Sequence, residues 1–134
     1  MKYRFAAASA ALLALSVSGT AGAEDRLKYE NLIHCAATNM VVAGVLSLDD
    51  GKTKNKERIE IYNGQAAALM AIASIGSNNE AAIVMADTTK ESDVIFAMLG
   101  DKDKSKGFIA SEVPRCNTLG QAAVQVINEP KSSK

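Results

Sequence analysis

Residues 25–48 read DRLKYENLIHCAATNMVVAGVLSL. Tyr29, Leu32, Ala36, Met40, Ala43 and Leu46 recur at steps of three and four, the period of an amphipathic helix. Asp25 suits an N-cap and Asp49-Asp50-Gly51 is a stop signal, so the spacing predicts one long helix over 25–48. The same period returns in Ile59, Tyr62, Ala66, Leu69, Ile72 and Ala73, which predicts a second helix over 55–75, closed by Gly76. Between the two, 52–56 is a polar connection without a core residue. No stretch alternates apolar and polar residues between turns, so no strand is expected.

The second half of the chain is less regular. Ser77-Asn78-Asn79-Glu80 has the spacing of a capping box for a third helix. Residues 81–86 and 94–99 are apolar, whereas 87–93 contain no apolar residue. Thr88-Thr89-Lys90-Glu91 also fits a capping box, so the third helix either runs through to Gly100 or breaks near Thr88. Residues 101–107 read as a charged loop. Pro114 suits the first turn of a last helix that starts between Pro114 and Thr118 and carries Cys116, Leu119, Ala123, Val126 and Ile127 on one stripe. Pro130 and residues 131–134 form a frayed tail. The expected fold is all-α: a small up-down bundle of about four helices with one disulfide.

Ahead of the bundle stands a different kind of segment. Lys2 and Arg4 precede an apolar run, Phe5 to Val17, and Ala21-Gly22-Ala23 is a small-x-small cleavage site. These are the parts of a secretory signal peptide. The expected organisation is a signal peptide over 1–23 and a single helical domain over 24–134, periplasmic or secreted. No later segment has the length of apolar sequence that a membrane span needs. The chain carries 15 basic and 15 acidic residues, and loss of Lys2 and Arg4 leaves a mild acidic excess. Such a domain has no field to attract nucleic acid, and Tyr29, Tyr62, Phe96 and Phe108 are few aromatics for stacking bases.

Cys35 and Cys116 are the two cysteines. In an oxidising compartment such a pair forms a disulfide, and the first and last helices of a bundle are neighbours. No Cys-x-x-Cys points to redox work. His34 is the one histidine. A zinc site needs four ligands, and adjacent side chains on a helix diverge by about 100°, so His34 beside Cys35 reads as a partly exposed, incidental residue. Met40, Met70, Met85 and Met98 sit one per helical segment and read as core filling rather than a copper site. Asn39, four residues after Cys35 on an apolar face, reads as a register-fixing residue or a partner for a neighbouring backbone group.

Catalytic motifs are missing. There is no Gly-x-Ser-x-Gly, no His-Glu-x-x-His and no phosphate-cradling glycine loop. The carboxylate pairs Glu57/Glu60 and Glu91/Asp93 lie on polar segments and read as solvated faces. In size and architecture the chain resembles periplasmic acid-stress chaperones and toxin-neutralising immunity proteins. That likeness covers no diagnostic motif and assigns no residue a role. The expected function is non-catalytic binding of a protein or small apolar ligand, with no cofactor; oligomeric state and partner identity are not written in the sequence. A conditional, chaperone-like stress protein is the alternative, and a metal or redox protein built on His34 and the cysteines is the third.

Overall fold

A computed structural model describes residues 28–129. The expected signal peptide, the Asp25 cap and the C-terminal tail lie outside the described residues. Among those described, 87% are helical and none is in a strand, so the chain is an all-α bundle with four long helices.

The first, α1, is Tyr29–Leu46. It buries Leu32, Ala36 and Ala43 from the expected stripe, and also Ile33, Cys35, Ala37, Thr38, Asn39 and Val41. A helix buried on most of its circumference is a central one, and α1 packs against every other long helix. It ends where expected. Asp49 turns the chain with φ 56°, and Gly51 approaches so closely that a Cβ there would collide with the Leu46 carbonyl oxygen. The Asn55 amide donates to that same carbonyl at 3.0 Å, satisfying an acceptor that the helix end leaves open. The polar connection contains a single helical turn, α2 (Gly51–Lys54).

Helix α3, Lys56–Ser77, runs past Gly76. Asn78, at φ 65°, takes the left-handed position that ends it, a conformation asparagine tolerates because its short side chain bonds locally. The expected capping box at Ser77 does not form. The cap of the next helix is Glu80, and the Ser77 hydroxyl instead donates to the Ala73 carbonyl.

Helix α4, Ala81–Met98, is continuous, which excludes the break at Thr88. The reason is visible in its buried stripe of Val84, Thr88, Ser92 and Ile95. Thr88 donates to the Val84 carbonyl at 2.7 Å and Ser92 to the Thr88 carbonyl at 3.0 Å. The hydroxyls are satisfied within the helix, so a polar turn can face the protein interior.

The expected charged loop is also helical: α5 spans Lys102–Gly107. The Asp101 carboxylate accepts from the backbone N–H groups of Asp103 and Lys104, a complete N-cap. This helix buries nothing, which is why apolar periodicity passes over it. A wide π turn, Phe108–Glu112, joins it to α6, Val113–Asn128. Pro114 has no N–H for a carbonyl one turn back, so a regular α-ladder cannot run through this point, and the wide turn lies there. On α6, Cys116, Leu119, Ala123 and Val126 are buried as expected; Ile127 is exposed, and Gly120 takes a place in the interior.

The core has two parts. The larger joins Leu32, Cys35, Ala36, Ala66, Leu69, Ala73, Cys116, Leu119 and Ala123 between α1, α3 and α6. A smaller one, Ala37, Val41, Ile95 and Phe108, lies between α1, α4 and the π turn. Helices α4 and α6 each pack on α1 and α3, with little direct packing on one another. No helix among the described residues is long and apolar enough to cross a membrane.

Candidate functional site

Cys35 and Cys116 are bonded, with Cα atoms 4.8 Å apart and both side chains fully buried. The bond fastens the middle of α1 to the start of α6. Beside it lies a buried polar chain. The Asn39 amide donates to Gln65 Oε1 at 3.2 Å and to the Cys116 carbonyl at 3.3 Å, and Gln65 Nε2 donates to Asn117 at 3.0 Å. Asn39 therefore serves a partner's backbone, one of the two roles its position suggested, and links α1, α3 and α6. Gly120 is the residue that makes room: a Cβ there would lie 2.7 Å from Gln65 Cβ and 2.8 Å from Asn39 Nδ2.

Next to the disulfide, His34 is the centre of a hydrogen-bonded cluster and not an incidental residue. Its Nδ1 lies 2.7 Å from Glu91 Oε2 on α4, and its Nε2 lies 3.0 Å from Glu112 Oε1 on the π turn. Glu112 is held in turn by Arg115, whose Nη2 donates at 2.7 Å, while Arg115 Nη1 reaches Asn31 at 3.2 Å. The Arg115 hydrogen bond is the main cause that holds the Glu112 carboxyl below the usual glutamate range, against a smaller upward push from burial. Glu91 is therefore a paired, half-buried residue and not the solvated one that its polar surroundings suggested. The Glu112–Arg115 pair was readable from its i, i+3 spacing. The pairing of His34 with Glu91 spans 57 positions and leaves no local trace.

An open groove of about 680 Å³ runs along this cluster between the start of α1 and α4. In it the Tyr29 hydroxyl donates to Asp87 at 2.6 Å. Burial first, and then that bond, push the Tyr29 phenol above its ordinary value. His34, Glu112 and Cys116 place three donor atoms within 4.8 Å of one another. The Cys116 sulfur is held in the disulfide and Nε2 of His34 already meets Glu112, so this grouping offers no free thiolate for a metal ion.

The remaining feature is the two flanks of α4 beside its buried stripe. Ile83, Met85, Val94 and Phe96 are all exposed, Val94 at 57% and Phe96 at 51%. Met85 is thus not a core residue, unlike Met40, Met70 and Met98, which pack against the two core clusters. Comparison with known protein families, with curated proteins and with solved structures gives no match to this chain.

Proposed function

We propose that this protein is an exported, non-catalytic binding protein that engages a partner protein through the exposed apolar residues of α4. One observation carries the reading. A helix that serves folding alone puts its apolar residues inward. Helix α4 turns Thr88 and Ser92 inward and leaves Ile83 and Val94 exposed on one flank of that stripe, Val94 at the groove, and Met85 and Phe96 on the other, where Phe96 stands over Gly44. Exposed large apolar side chains mark interaction surfaces where they cluster, and four of the nine among the described residues belong to α4. The signal-like segment with Lys2, Arg4 and Ala21-Gly22-Ala23 supports export, and a buried disulfide suits an oxidising compartment.

A conditional, chaperone-like mode is the second reading. It is favoured by the thin inner stripe of α4, which contributes two apolar residues, Val84 and Ile95, to the interior. The test is capture of partners from the protein's own compartment by the wild type and by the double variant Val94→Glu, Phe96→Glu, with circular dichroism confirming the fold. Ile61→Glu and Ile127→Glu, exposed on α3 and α6, are the controls. Loss of capture confined to the α4 variant is the expected result. Retained capture by that variant, or equal loss in the controls, refutes the reading.

A further inference from the structure

Three separately placed elements meet at one imidazole. His34 belongs to α1, Glu91 to α4 and Glu112 to the π turn, and both ring nitrogens are within hydrogen-bond distance of a carboxylate oxygen. An ionised carboxylate only accepts. A neutral imidazole has one N–H and one lone pair, and only the protonated ring has two donors. Both contacts are therefore hydrogen bonds at once only when His34 carries a proton. The charged groups around it are consistent with that state. Glu91 comes from α4, Glu112 from the π turn with Arg115 of α6 behind it, and Glu30, Lys28, Asp87 and Lys90 line the adjoining groove. The imidazolium and Arg115 together balance Glu91 and Glu112.

We propose that His34 is a proton-operated latch on α4: the protonated ring ties α4 to α1 and the π turn, and loss of the proton frees α4 at Glu91. This rests on the reading of α4 as the interaction element and supplies its regulation. The two contacts are not equivalent on deprotonation. Glu112 stays fixed by Arg115. Either tautomer of the neutral ring loses the charge that attracts Glu91, and the tautomer that keeps its proton toward Glu112 loses the Glu91 hydrogen bond as well, so α4, which packs little on α6, is held less tightly. Imidazole side chains change charge between about pH 5 and 8.

The test is amide hydrogen exchange on the disulfide-intact protein, corrected for the intrinsic pH dependence of exchange. The readout is the protection of α4 amides divided by that of α3 amides. A charge-assisted hydrogen bond at a partly exposed site predicts that this ratio falls roughly five- to tenfold from pH 5.5 to pH 8. The fall should track the His34 ring signal in an NMR titration. In His34→Gln the ratio should be low and flat with pH. In Glu91→Gln, a change at the helix surface that leaves the core intact, it should also be flat. An unchanged ratio in the wild type, or the same fall in both variants, overturns the latch. No partner is present in this experiment, so its failure leaves the exposed apolar residues of α4 to be judged by partner capture. Capture unaffected by the α4 substitutions refutes their role and leaves the exchange result standing.

Discussion

Replacing Gly120 with Ala should destabilise the protein although alanine is the better helix former. The new methyl group would stand 2.7 Å from Gln65 Cβ and 2.8 Å from both Asn39 Nδ2 and Gln65 Oε1. Ordinary contact begins near 3.4 Å, so several tenths of an ångström must be found among buried atoms. Gln65 Cβ sits next to the backbone of α3 and cannot swing away. Overpacking of this kind costs about 1–3 kcal/mol. Prising Asn39 from Gln65 adds about 1 kcal/mol for a buried hydrogen bond. The helix-propensity gain of Ala over Gly returns about 1 kcal/mol. The net loss is about 2 kcal/mol, or a midpoint lower by roughly 10 °C for a domain near 100 residues. Gly64→Ala is the internal control, since a Cβ at that exposed helical position meets nothing within 4 Å. It should stabilise by about 0.5–1 kcal/mol. Thermal unfolding followed by circular dichroism reads both. A Gly120→Ala protein as stable as the wild type would mean that the Asn39–Gln65–Asn117 chain does not fill the interior as described.

Further consequences follow from the same geometry. Replacing Cys35 and Cys116 with Ser opens a covalent loop spanning 81 positions, for which chain-entropy arguments give about 4.5 kcal/mol, so denaturant titration should show a markedly lower midpoint. Glu112 prefers its ionised form when folded, so its contribution is present above the ordinary value near 4.5 and is lost as pH falls below it. Acid unfolding of Glu112→Gln should accordingly have a shallower dependence on pH in that range. Phe108→Ala empties the largest side chain of the smaller core, at a cost of about 3–5 kcal/mol, and hydrogen exchange should show α4 loosening more than α3.

The bundle was legible in the sequence wherever a helix buries one apolar stripe. Leu32, Ala36, Leu69, Ile72, Leu119 and Ala123 recur at helical spacing and meet in one cluster. The disulfide was legible from the count of cysteines and the expectation of an oxidising compartment. Three features were not. Helix α5 has the Asp101 cap but no buried residue, and a cap without a buried face gives no periodic signal. The continuity of α4 depends on Thr88 and Ser92 returning their hydroxyls to their own helix, which makes polar residues behave as interior ones. The third is the role of His34, which comes from two carboxylates 57 and 78 positions away. Such pairings are set by how α4 and the π turn lie on α1, and local sequence carries no trace of them.

The central claim is that the exposed apolar residues of α4 engage the partner. It is tested most directly by placing a photo-crosslinking residue, one position at a time, at exposed apolar sites around the molecule and irradiating the protein in its own compartment. Positions 83, 94 and 96 on α4 should give a discrete adduct with a protein partner, and positions 61 on α3 and 127 on α6 should give none. Adducts at 61 or 127 with none on α4, or equal adducts at all five positions, would contradict the account.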